Sequence, residues 1–170
     1  MIDLGDFVNF LYVIILELSV MQGIEDVPQN SRASKAESGA PRRGTNATMS
    51  DLLFRALSLV FTTRSSTGNS PPWRSAAFAK RLLTAALHWP PATVLRVLDF
   101  VRTLLVKEPA LESLLSTDDR VADGIYRPEL DDPQLCNAFA TNFWELRHLE
   151  KTHWDARVRA EAGKLANFRR

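Results

Sequence analysis

Apolar residues recur three and four positions apart along most of this chain, and no run of alternating β-branched residues occurs anywhere in it. That period belongs to helices with one buried face, so the sequence predicts an all-α protein. A first helix is expected over Leu4 to Val20, with Leu4, Phe7, Val8, Leu11, Ile15 and Leu18 on one stripe. Phe10, Val13, Ile14 and Leu16 fill most of its other side and are left looking for a cover of their own. Further helices are expected at Ser50 to Phe61 with Ser50 as N-cap, Trp73 to His88, Ala92 to Lys107, Pro133 or Asn137 to Lys151, and Asp155 to about Phe168 with Asp155 as N-cap. Pro90-Pro91 separates the third from the fourth, because proline disfavours helix at the preceding residue and cannot donate within one. A link that short predicts an antiparallel helix hairpin. Paired amphipathic helices joined by turns suggest an irregular α-solenoid of the HEAT or armadillo type.

Between the helices, residues 24–48 are rich in Ser, Asn, Gly and Pro with no period, and are expected to form a flexible linker. Residues 116–133, with Asp118, Asp119, Asp123, Asp131 and Asp132, are expected to form a solvated acidic loop, with a short helical turn before it at Ala110 to Leu115. The apolar stretch Phe7 to Val20 lacks the basic start of a signal peptide. With Asn9 and Glu17 inside it, it is too short and too polar for a membrane span, so a buried core helix in an intracellular protein is expected and no membrane contact.

Charge narrows the function classes. The formal net charge is +1 and the pI about 7.9, whereas a domain living mainly on nucleic acid is usually clearly basic. Neither a G-x-S-x-G elbow nor a glycine-rich phosphate loop is present, and Cys136, the single cysteine, stands in no recognisable motif and is expected to be a small core residue. His148 and His153 have the spacing of half a zinc finger, but the C-x2-C half is missing. Asp119, Asp123 and Gly124 overlap a calcium loop, yet Val121 and Leu130 stand where it needs oxygen ligands. No enzyme chemistry, metal or cofactor is expected. The remaining candidates are cations: Arg74, Lys80 and Arg81, with Thr84 and His88, are expected on the outer face of the third helix, where they can meet RNA phosphates or a partner.

Residues 75–91 carry a more specific pattern. Ser75-Ala76-Ala77-Phe78-Ala79-Lys80-Arg81-Leu82-Leu83 followed by Leu87-His88-Trp89-Pro90-Pro91 resembles the helix hairpin of the CCAAT-binding-factor (CBF) domain family. Gly124-Ile125-Tyr126-Arg127-Pro128, Asp131-Asp132-Pro133-Gln134-Leu135, Asn137 to Thr141, Trp144-Glu145-Leu146 and the closing Val158, Ala162 and Leu165-Ala166-Asn167 continue the resemblance in order and spacing. His153-Trp154-Asp155 departs from the His-Tyr-His-Pro-like turn that the family tends to have there.

The resemblance implies a fragment, residues 1–170, of a longer helical-repeat scaffold without catalytic residues. It also implies residence in the nucleus and nucleolus, and a role in maturation and intranuclear transport of the large (60S) ribosomal subunit. The implied partners are another nucleolar complex protein and pre-60S particles, with rRNA phosphate contacts possible. The alternative it leaves open is a chromatin- or DNA-associated regulator of replication initiation or transcription.

Overall fold

The computed structural model describes residues 4–27, 47–62, 71–116 and 124–169. Among them all regular structure is helical, as the periodicity predicts. The chain divides into two compact units, one of Met21–Arg64 and one of Met1–Val20 with Ser65–Arg170.

The smaller unit holds helix α2, Met49–Thr62, whose stripe Leu53, Leu57 and Val60 is buried. Its N-cap is Thr48, not Ser50. The Asp51 N–H donates to Thr48 Oγ1 (3.1 Å) and the Thr48 N–H donates to Asp51 Oδ2 (3.0 Å), so two backbone donors at the helix start are satisfied reciprocally. Most of the expected linker, residues 28–46, lies outside the described residues. Its two ends meet: the Ser50 N–H donates to the Ile24 carbonyl (2.8 Å) and the Met49 N–H to the Asp26 carbonyl (3.1 Å), and Ile24 is buried. Ile24 therefore belongs to a fixed turn and not to flexible chain. Thr48→Ala removes one half of the cap, and a loss of about 0.5–2 kcal/mol is expected. The readout is faster amide exchange, that is reduced protection, at the start of α2; unchanged protection counts against the cap.

The larger unit is organised around helix α3, Pro72–Ala86. Helix α1, Leu4–Val20, lies against it. So do α4, Pro91–Lys107, two 3-10 segments at Pro109–Leu115 and Ala138–Ala140, and α5, Trp144–Thr152. Eleven of the fifteen residues of α3 are buried. Ser75, Ala76, Ala77, Ala79, Ala85 and Ala86 make this possible, because side chains that small let neighbouring backbones approach α3 from several directions. Pro91 sits in the first turn of α4, where its missing N–H costs nothing, and the α3–α4 hairpin forms as the proline pair predicts. Trp89 in that hairpin turn donates its indole N–H to the Leu18 carbonyl (3.0 Å), satisfying one of the carbonyls left over at the end of α1.

Helix α1 buries Val8, Leu11, Tyr12, Ile15 and Leu18. Phe7 is half-buried and Tyr12 takes a core place, because Arg81 and Phe78 of α3 close over its ring. Of the second set, Phe10 is exposed while Val13, Ile14 and Leu16 are half-buried. Among the described residues no helix is long and apolar enough to cross a membrane.

The expected fifth helix from Pro133 or Asn137 is corrected to the nine residues of α5. Asn137 has a left-handed backbone (φ 51°), which no helix interior tolerates. The Phe143 N–H is pulled instead onto the Leu114 carbonyl (2.7 Å). Helix α6, Ala156–Ala166, starts as expected on Asp155, whose carboxylate accepts the Arg157 N–H. The Arg157 guanidinium, with that backbone bond adding to it, holds the Asp155 carboxyl down at about 2.

Candidate functional site

Helix α3 places Lys80 and Arg81 at consecutive positions, so their side chains leave the axis in different directions. Lys80 points toward α5. Its ammonium donates to both oxygens of Glu145 (2.7 and 2.8 Å) and to the Asn142 carbonyl (2.8 Å), which uses all three of its donors. It also sits over the rings of Trp144 (5.3 Å) and Tyr126 (5.7 Å). Thr84, one turn further along α3, donates to Glu145 Oε1 (2.9 Å). Lys80 is 2% and Glu145 0% exposed. Burial pulls the Lys80 ammonium below the usual lysine range, and the Glu145 carboxylate works against that pull.

Arg81 points toward α1 and the segment that follows Gly124. One guanidinium nitrogen donates to the Tyr12 carbonyl (3.0 Å), and the other to the carbonyls of Pro128 (3.0 Å) and Leu130 (2.8 Å). The guanidinium carbon lies over the Tyr12 ring, 3.6 Å from its centre. Residues 124–130 are thus not free loop. They are pinned by Arg81 and closed by a hydrogen bond from the Arg127 N–H to the Cys136 carbonyl (2.8 Å). Residues 117–123 of the expected acidic loop lie outside the described residues. Gly124 adopts φ 96° against the Asn137 side chain, where an added Cβ would come within 2.6 Å of Nδ2.

These two cations frame a cavity of about 240 Å³, walled by Leu16, Tyr126, Pro128, Thr141 and Trp144 and floored by Lys80, Arg81, Thr84 and Glu145. The Tyr126 hydroxyl is pushed up to about 12 by burial. Burial, reinforced by Cys136, also raises the Tyr12 hydroxyl, and burial raises the Cys136 thiol. A thiol held protonated is a poor nucleophile, and Cys136, fully buried, is the small core residue that its lack of motif suggested.

The expected outer basic face is therefore corrected. Lys80 and Arg81 are interior, because α1, α5 and residues 124–130 cover the side of α3 on which the helical period alone places polar residues. A phosphate could reach either cation only by displacing the protein groups already bound to it. Arg74 is half-buried with its guanidinium 5.5 Å from the Trp73 ring, and His88 is exposed just beyond the helix end. The three cations thus have three separate environments. Glu145, the counter-charge that fixes the cluster, escaped the sequence reading. The available signal was the density of small residues on both sides of Lys80, which marks a helix packed all round. Among the described residues, no group of three or more His, Cys, Asp or Glu side chains is placed to hold a metal ion.

The sequence model of the CBF/Mak21 family matches residues 1–162. Nucleolar complex-associated protein 3 of Saccharomyces cerevisiae is 32% identical over 152 residues, which is 88% of this chain and 22% of that protein. Nucleolar complex protein 3 of Drosophila melanogaster is 35% identical over 128 residues, 75% of the chain and 15% of the relative. The human nucleolar complex protein 3 homolog is 32% identical over 131 residues, 77% of the chain and 15% of its own length. The chain thus spans less than a quarter of each of these curated relatives.

Proposed function

Because the chain belongs to the CBF/Mak21 family, we propose that it is a non-catalytic helical scaffold of nucleolar ribosome biogenesis. One observation carries the scaffold reading: the polar groups of the α3 cluster are spent on each other. Lys80, Glu145 and Thr84 form a closed set, and Arg81 is committed to three backbone carbonyls. A catalytic acid, base or nucleophile must keep a valence open toward its substrate; these groups serve to lock α1, α3, α5 and the 124–130 segment together.

In this reading the α3–α4 and α5–α6 hairpins are units of a HEAT- or armadillo-like solenoid, in which each repeat buries the flank of its neighbour. The names of the relatives support residence in the nucleolus and membership of a nucleolar complex, in which we take the partner to be another nucleolar complex protein. Maturation and transport of large-subunit precursors is the process we assign to it. The formal net charge of +1 speaks against the competing DNA-associated regulator, since a domain living mainly on nucleic acid is usually clearly basic.

The test is fractionation of a tagged chain from cells at moderate salt on a sucrose gradient. Co-sedimentation with large-subunit precursors, together with nucleolar fluorescence, is expected. Tight chromatin retention with no particle association would replace this reading with the DNA-associated one.

A further inference from the structure

The turn between α5 and α6 holds a tryptophan out into water. Trp154 is 77% exposed, yet the backbone of its turn is held by hydrogen bonds. Arg159 donates from one nitrogen to the carbonyls of both His153 (2.7 Å) and Trp154 (2.9 Å). The Asp155 N–H donates to His153 Nδ1 (3.0 Å), and the His153 ring stacks on the Trp154 indole at 5.7 Å and 20°. On α5 a second indole, Trp144, is 47% exposed and meets the His148 ring edge-on at 6.0 Å. His148 and Lys151 are exposed one and two turns further along the same face, which the helical rise makes about 10 Å long.

We infer that the exposed α5 face of Trp144, His148 and Lys151, together with Trp154 in the turn that follows it, is a stacking platform for unpaired RNA bases. It deepens the ribosome-biogenesis reading and rests on it only for the choice of RNA. Two observations favour a nucleic acid over a protein partner. Carboxylates that would repel phosphate are neutralised: Glu150 by Arg147, Asp155 by Arg157, and Glu161 by Lys164 and Arg102. Residues 144–169 carry six Lys and Arg against four Asp and Glu, a local +2 in a chain whose total is +1. Flat aromatic faces beside cations are what sequence-tolerant single-strand binding uses. A pre-set turn also spares the ordering cost that a mobile aromatic would bring on binding.

The experiment titrates the full 170-residue chain into a fluorescently labelled single-stranded oligouridine and a duplex RNA of equal length, reading anisotropy at several salt concentrations. Preference for the single strand is expected. Trp154→Ala should weaken binding roughly 5- to 150-fold, the range found for losing one stacked base, with Trp154→Phe recovering most of it. Lys151→Gln should lower the salt slope by about 0.7. Both side chains are exposed, and unchanged circular dichroism checks the fold of each variant. Equal affinity for duplex and single strand, or a Trp154→Ala variant that binds like the unaltered chain, overturns the inference. So does a Trp154→Ala variant that keeps its RNA affinity while losing a protein partner. A chain that joins pre-ribosomal particles in cells but fails to bind the oligomer removes this platform and leaves the proposed function standing.

Discussion

Replacing Glu145 by alanine is expected to destabilise the protein by about 3–5 kcal/mol, because it strands a buried ammonium. Lys80→Met strands the carboxylate instead and should cost a similar amount. The double variant Lys80→Met/Glu145→Leu should recover most of either loss, since removing both charges also removes the desolvation penalty that each suffers alone. Urea denaturation of the two single variants and the double closes the cycle. Additive losses would show that the pair is not coupled, and the account of α3 as a helix locked to α5 by charge would fall. A pH series adds a sign. Without Glu145 the burial of Lys80 is no longer opposed by a carboxylate, so its pKa falls further below the ordinary value of 10.5. The unfolded chain then binds the proton more readily than the folded one, and Glu145→Ala should gain stability as the pH rises toward that value.

Arg81→Ala is expected to be comparably severe, about 3–5 kcal/mol, since it leaves three carbonyls without their charged donor, that of Tyr12 buried and those of Pro128 and Leu130 partly so. The period of α3 alone predicts the opposite, a loss under about 1 kcal/mol for an exposed charge. Arg81→Lys should rescue little, because a single ammonium cannot reach the carbonyls of Tyr12, Pro128 and Leu130 from the directions in which the guanidinium fork does. The local readout is amide exchange: the backbone of residues 125–130 should lose protection in Arg81→Ala while α6 keeps it. Uniform protection in the variant would mean that Arg81 does not pin that segment.

Much of the fold was legible because it depends on neighbours in sequence. The apolar periods locate α1, α2, α3, α4 and α6 to within two or three residues at each end, and Pro90-Pro91 predicts the hairpin. Asp155 as the cap of α6 follows from side-chain chemistry within two residues. The cap of α2 was misplaced by two positions, since Ser50 and Thr48 are both good caps and only the reciprocal partner Asp51 distinguishes them. The start of α5 was missed because Phe139 keeps the apolar spacing while Asn137 turns left-handed and Phe143 bonds to Leu114, a contact 29 residues distant in the chain.

For the candidate site the division is sharper. Which residues are cationic, and that α3 is a helix, follow from local chemistry: helix formation is local, and the order Ser75-Ala76-Ala77-Phe78-Ala79-Lys80-Arg81 favours it. Which way the cations face was decided only by the tertiary structure. A helical period says that one face is more apolar than the other, and on a helix with a single neighbour the polar face meets water. On α3 the neighbours number several, and the polar face meets Glu145 from 65 residues downstream and the Tyr12 carbonyl from 69 residues upstream. A buried charge is tolerated only where such partners converge, and their convergence depends on packing among helices that no local pattern encodes.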